Sequence, residues 1–467
     1  MRTSLVNSKY IFSQGKRFEG KYYLNDNSYL SIQIEKNQEK CSFLEDNAVV
    51  FNPPVFKRQF CNKTPRSVPY FQSSDVPCAE ENSRVNVFKG QAESLNLLVK
   101  EGDILVTGFG TIGNTKLVSK YQDGSCYANN VCRIRIEDVI MRGFVYAFIS
   151  SKFGYSQLNK NASGSVVRYI EAPGIKKTLI PNFSDTLRQT ISTLIDASTK
   201  LREEATSLLE KAQNILYTKA GLDKLTTDDY DFYGLPVKNR EVSTFVRNRK
   251  DISTLTINAF NHSERISRLK NKITCPTISL SEALDDNSFF STGSFPRIEV
   301  KEGKGIMLIN QSDIFDTIIK GKYISKRGVN IESLVEYGEV MIAGVGTLGE
   351  NETFCRAIFA NEDLVGQLVS GEFIRMKTNS KIPSGYLYAW LSSEYGFRLI
   401  RYTQTGTKLC RPIQKLLLEQ PVPYLDQSVM QEIDNLVKTA HTKKYEANEL
   451  EKKAIHMVED EIEKWNK

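Results

Sequence analysis

The sequence is poor in the residues from which catalytic and metal sites are most often built. It holds three histidines in 467 residues, and its eight cysteines (Cys41, Cys61, Cys78, Cys126, Cys132, Cys275, Cys355, Cys410) include no C-x-x-C pair. Such spacing indicates neither a zinc site nor a disulfide framework, so the cysteines read as reduced thiols, mostly buried. Long apolar runs are missing too. No window approaches the roughly 18 apolar residues of a membrane span, and the opening MRTSLVNSKYIFSQGKRFEGKYY lacks the apolar stretch of a signal peptide. The expectation is a cytoplasmic protein that does not engage a membrane. A strong charge excess is also absent: 62 Lys and Arg against 55 Asp and Glu leave +7, which suits a polyanion partner without arguing for one. What is present is 40% apolar and 10% aromatic residues, enough to fill the cores of two to four domains.

Within GDILVTGFGTIGNTKLV, Gly108, Gly110 and Gly113 spell G-x-G-x-x-G. In dinucleotide-binding folds that spacing follows a strand and opens a helix whose N-terminus holds the pyrophosphate. DILVT supplies the strand. The segment after Gly113, TKLVSKY, is rich in β-branched and aromatic residues and reads as another strand. A P-loop is excluded as well, because Asn114 stands where its lysine must be. The glycines are therefore expected to make a tight turn between strands. A second lure is VFNPPVF at 50–56, close to the N-P-P-aromatic loop of amino-methyltransferases. Val55 offers no platform to stack a flipped base, and no Gly-rich cofactor unit precedes it.

The stretch recurs. GEVMIAGVGTLGENETF repeats it from Gly338, with Gly344, Gly346, Thr347 and Gly349 in place of Gly108, Gly110, Thr111 and Gly113. VPYFQSSDV matches IMLINQSDI, VYAFISSKFG matches LYAWLSSEYG, ASGSVVRYI matches QTGTKLCRPI, and TLIPNF matches EQPVPYL, in the same order. Five blocks in one order mean a duplicated domain. Each copy ends in a heptad pattern. Its apolar positions are Leu187, Ile191, Leu194, Leu201, Ala205, Leu208, Ala212 and Ile215 in the first and Val429, Ile433, Leu436, Ala440, Ala447, Leu450, Ala454 and Met457 in the second, interrupted only by Ser198 and Lys443. Four-three spacing held over four heptads predicts two long helices pairing with one another. Ser184, Asp185 and Asp426 can cap them, and Gly221 can stop the first.

The ordered blocks, strand into G-x-G-T-[IL]-G, then YA[FW][IL]SS, a small-residue–Gly loop and an I-P or V-P strand into a heptad helix, twice over, resemble the specificity subunit of Type I restriction-modification enzymes. The resemblance implies an α+β fold: target recognition domains at 1–183 and 221–425, and spacer helices at 184–220 and 426–467 forming an antiparallel coiled coil. It implies a non-catalytic chain that reads an asymmetric, bipartite sequence in double-stranded DNA. It also implies two methyltransferase (modification) subunits as partners, with or without restriction subunits. S-adenosylmethionine belongs to the methyltransferase partner, and no cofactor or metal is expected in this chain. RFEGKYYLND (17–26) and its echo TINAFNHSER (256–265) depart from the Trp-rich start of many members, and Asn114 and Glu350 stand where Lys or Arg often follows the turn. Glu350 would repel a phosphate.

Polar residues in and after each glycine turn are the candidates for DNA contact: Thr107, Thr111, Asn114, Lys116, Asn129, Asn130 and Arg133 in the first half, and Thr347, Asn351, Arg356 and Gln367 in the second. The following loops add Gly164, Ser165 and Arg168, then Gly406, Thr407, Lys408 and Arg411. The run FKRQFCNKTPR, 56–66, mixes aromatics with cations as nucleic-acid surfaces do, and as solvated loops also do. Two rival readings are an enzyme built on NPPV or GFGTIG, whether an adenine methyltransferase or another nucleotide-cofactor enzyme, and a coiled-coil scaffold that never meets DNA.

Overall fold

The computed structural model describes residues 8–13, 26–80, 83, 85–162, 168–226, 229, 246–349 and 352–465. Helices and strands are mixed, an α+β composition. The chain divides into two compact units, Met1–Glu203 with Glu446–Lys467, and Glu204–Tyr445.

The first unit holds strands β1 (Cys41–Phe43), β2 (Val49–Phe51), β3 (Phe60–Cys61), β4 (Ser67–Phe71), β5 (Asn86–Phe88), β6 (Ile104–Thr107), β7 (Thr115–Leu117), β8 (Cys126–Tyr127), β9 (Val131–Arg135) and β10 (Leu179–Pro181). They form one sheet in the order β2-β9-β6-β7, a second in the order β3-β5-β4-β8, and the pair β1-β10. All neighbours are antiparallel except β4 and β8. All four residues of β6 are buried, as a strand covered on both faces requires. Two helices follow, Val139–Ser150 and Lys152–Lys160, capped by Asp138 accepting from Met141 N and by Ser151 accepting from Gly154 N. Gly143 lets the first of them approach the long helix that follows: a Cβ there would lie 2.5 Å from Ser192 Oγ.

The second unit repeats this plan with β11 (Thr277–Ser279), β12 (Ile306–Ile309), β13 (Lys322–Ile324), β14 (Val340–Ala343), β15 (Ala357–Phe359), β16 (Leu368–Val369), β17 (Phe373–Met376), β18 (Gln404–Thr405), β19 (Arg411–Pro412) and β20 (Pro421–Pro423). The orders β15-β14-β17 and β13-β12-β16 and the pair β11-β20 match β7-β6-β9, β5-β4-β8 and β1-β10 of the first unit, including the parallel step between β12 and β16. A single bridge, Phe290 to Arg375, stands where β2 meets β9. Helices Ser384–Ser392 and Glu394–Arg401 follow, and Gly385 packs on Asp434 as Gly143 does on Ser192, with 2.8 Å left for a Cβ. The β18-β19 hairpin has no strand counterpart among the described residues of the first unit.

The long helices are Asp185–Ala220 and Gln427–Lys464. Ser184 Oγ accepts from Leu187 N at the start of the first. Gly221, at φ +62°, ends it with Leu222 N donating back to Tyr217 O, the hydrogen bond of a Schellman stop. In the first unit Ile191 and Ile195 share a core with Ala454, Val458 and Ile462. In the second, Ala212, Leu216 and Ala220 share one with Met430, Ile433 and Val437. Each unit thus combines the beginning of one long helix with the end of the other.

The heptad stripe splits into two rows. Ile191, Ser198, Ala205 and Ala212, with Ile433, Ala440, Ala447 and Ala454, are fully buried. The bulkier row is only half-buried, and Leu187, Leu194 and Met457, like Ile215, Val429 and Leu436, lies against the core of its own unit. Both interruptions have partners. Ser198 Oγ donates to Ala447 O at 2.8 Å, and Lys443 Nζ reaches Glu204 at 2.7 Å. A buried network adds to the first unit: Glu451 accepts from Tyr146 OH (2.9 Å) and pairs with Arg202 (2.5 Å), which also donates to Asn448. Among the described residues no helix is long and apolar enough to cross a membrane.

Candidate nucleic-acid interface

The first glycine motif joins β6 to the antiparallel β7, and no helix follows it. Its amides serve the turn itself. Gly113 N donates to Thr107 O, Asn114 N donates to Thr107 Oγ1, and Thr107 Oγ1 donates to Thr111 O at 2.6 Å. Gly108 sits where three backbones meet: a Cβ would lie 2.5 Å from Ile170 O and 2.9 Å from Asn130 O. Gly110 and Gly113 take φ +73° and +91°, the left-handed region that glycine enters without steric cost. The turn is a rigid hairpin corner, and the helix that a dinucleotide site needs to hold a pyrophosphate is missing.

The second motif keeps the letters and changes the turn. Gly344 N donates to Glu372 O, and a Cβ on Gly344 would lie only 2.7 Å from that oxygen, so this glycine again marks a close backbone approach. Gly346 exchanges hydrogen bonds with Cys410, which ties the turn to the β18-β19 hairpin. Gln311 clamps Val345 through both its side-chain oxygen and nitrogen. In each unit the second short helix reaches back to the turn: Asn159 Nδ2 donates to Ile112 O, and Arg401 donates to Gly349 O at 2.7 Å.

Side chains gather on the outer side of these turns. In the first unit Phe109 and Tyr169 stack with centroids 5.5 Å apart and planes 16° from parallel, each more than a third exposed. Their backbones form a bridge, so the pair is fixed from below. Tyr155, also partly exposed, borders Gly113, and Arg168 is anchored by a bond to Asn159 O. In the second unit the tip of β18-β19 exposes Thr407, Lys408 and Leu409, the last 64% exposed, around Gly406 at φ +98°. Arg411 lies exposed beside them. An aromatic face with a cation in one unit and a basic hairpin with a leucine in the other could each contact base edges and phosphates.

The residues singled out from the sequence fall into groups. Thr111, Arg168, Thr347, Gly406, Thr407, Lys408 and Arg411 are exposed. Asn114, Asn129, Asn130, Arg356 and Gln367 are half-buried. Of these Gln367 accepts from Met307 N, Asn130 donates to Ser73, and Arg356 lies over the Phe397 ring. Gly164, Ser165 and Asn351 lie outside the described residues. Thr107, Lys116 and Arg133 face inward. Lys116 Nζ donates to Cys78 O at 2.7 Å. Arg133, fully buried, spreads its guanidinium over the carbonyl oxygens of Leu97, Tyr127, Ala128 and Val131, and burial pushes its pKa down to about 10. These three side chains serve the interior instead of a surface: Thr107 and Arg133 lie on the central strands β6 and β9, and Lys116 occupies the one buried position of β7.

The NPPV motif is a loop staple. Asn52 accepts from Ala172 N (2.8 Å) and donates to Asn129 O (3.2 Å), which occupies the amide that would hold a base. Among the described residues no group of three or more His, Cys, Asp or Glu side chains is placed to hold a metal ion. Sequence reasoning missed Phe109, Tyr155, Tyr169 and Leu409. The only signal was the phenylalanine inside the first G-x-G.

No protein-family model matches the chain, and no curated protein does. Among solved structures it is similar to the S subunit of a Type I restriction-modification system from M. genitalium, at 13% identity and TM-score 0.36, over 91% of this chain and 95% of that one. It is similar to the HsdS subunit from Thermoanaerobacter tengcongensis at 13% identity and TM-score 0.27, over 90% and 95%. A structure described by the complex assembly and conformational transition of the type I R-M system gives 13% identity and TM-score 0.27, over 90% and 97%.

Proposed function

We propose that this chain is a non-catalytic DNA-recognition subunit of a Type I restriction-modification complex. Each unit reads one half of a split target in double-stranded DNA, and the long helices set the distance between the halves and seat two modification subunits. Those subunits bring S-adenosylmethionine and carry out methyl transfer on a flipped adenine, with or without restriction subunits in the same complex. The observation that supports this reading best is a matching strand order with unlike side chains beside the two glycine turns: Phe109 stacked on Tyr169 in the first unit, and in the second Val345 in place of Phe109 with the exposed Lys408–Leu409 hairpin tip beside the turn. Like frames with unlike tips suit an asymmetric, two-part target. The first long helix has 36 residues, about 54 Å at 1.5 Å per residue and about one and a half turns of duplex.

The test is selection from a random duplex pool by the chain assembled with its methyltransferase partner. One sequence made of two unequal halves and an unspecified spacer is expected. Equal retention of all sequences would overturn the reading, and saturable micromolar S-adenosylmethionine binding by the isolated chain would favour an enzyme.

A further inference from the structure

The run 47–74 contains four cations, Lys57, Arg58, Lys63 and Arg66, and no Asp or Glu. All four are exposed, and among the described residues no carboxylate pairs with any of them. The segment is not a loose loop. Phe56 and Phe60 contact the Tyr70 ring at 6.3 and 5.7 Å, Arg58 lies over the same ring at 5.7 Å, and Gln91 donates to Lys57 O. Strand β3, inside this run, is an edge of its sheet, with Phe60 42% exposed. A fixed surface of uncompensated cations around an exposed aromatic suits a polyanion.

The second unit carries the matching segment beside β13, tied by Val300 N to Tyr323 O and Ser325 N to Ile298 O. There, residues 295–304 hold three cations, Arg297, Lys301 and Lys304, but also Glu299 and Glu302. Glu299 is already paired with Lys322 at 2.6 Å. The cationic surface is thus strong in the first copy and nearly neutralised in the second.

We infer that the β3 edge of the first unit is a second, sequence-independent DNA site. It grips backbone phosphates outside the half-target, so the first unit supplies most of the chain's non-specific hold on duplex. This rests on the DNA-recognition reading above. Each phosphate contact contributes about 0.9 to the slope of log K against log salt.

The test measures binding of the full chain to random-sequence duplex across a range of salt. A variant with Lys57→Gln, Arg58→Gln, Lys63→Gln and Arg66→Gln should lose about 3 to 4 from the magnitude of that slope, while Arg297→Gln with Lys301→Gln and Lys304→Gln should lose about 1. Because Arg58 packs on Tyr70, a charge-keeping Lys57→Arg, Lys63→Arg variant and a thermal melt of each protein accompany them; the former should keep the parental slope. If the folded quadruple variant keeps the parental slope, or the second-unit variant loses as much, the inference fails while the DNA reading stands. A parent chain that binds no duplex at any salt overturns that reading and this inference with it.

Discussion

Removing one heptad from each long helix at matched levels should shorten the unspecified spacer of the selected target by about 1 to 3 base pairs and leave both half-targets unchanged. Seven residues remove about 10 Å of helix, and a base pair rises about 3.4 Å, so the upper figure applies to helices parallel to the duplex axis. The deletion is tolerable because the buried row repeats every seven residues. Ile191, Ser198, Ala205 and Ala212, and Ile433, Ala440, Ala447 and Ala454, keep their register when seven are removed from each side. Deleting the heptad from one helix alone breaks that match and should abolish folding of the pair. Pool selection checks the outcome: altered half-targets with an unaltered spacer would show that the helices do not set the distance.

The second large effect is on stability. Arg375 and Glu339 are paired at 2.8 Å with both side chains buried, and Arg375 also donates to the carbonyl oxygens of Ser333 and Leu334. Glu339→Ala leaves a guanidinium in the core with only neutral acceptors, at a cost of about 3 kcal/mol, the low end for breaking a buried pair. The melting temperature of the second unit should fall by about 6 to 12 °C. The first unit provides the control. There the equivalent acid, Asp103, is one methylene shorter and pairs instead with Arg135, just beyond the Ile104–Ile134 end of the β6–β9 register; the Arg135 side chain is about a quarter exposed. Asp103→Ala should cost about 1 kcal/mol, since a partly exposed Arg135 recovers water. Equal losses in calorimetry would show that burial of the pair is not what matters.

The matching strand order of the two units and the strand–turn–strand form of the first glycine motif were legible because both rest on local pattern: ordered blocks, and β-branched residues after Gly113 where a helix would be needed. The helix stripe was legible in period and only partly in content. Which row is small and fully buried, and that Ile195 and Leu216 join it from outside the four-three seam, depends on what each unit packs alongside. The site was harder to read. Arg133 in VCRIR looks like a surface cation, yet β9 is a central strand, and the carbonyl oxygens that its two terminal nitrogens reach belong to Leu97, to Tyr127 and Ala128 at the end of β8, and to Val131. Phe109 and Tyr169 are 60 positions apart, so their stacking was visible only once Gly108 and Ile170 were hydrogen-bonded.

The central claim is that the two units read DNA separately, each through the surface at its own glycine turn. Pool selection repeated with Phe109→Ala and Tyr169→Ala in the assembled complex tests it most directly. The first half-target is expected to degenerate while the second half and the spacer stay as in the parent. Loss of specificity in both halves together, or an unchanged first half, would contradict it.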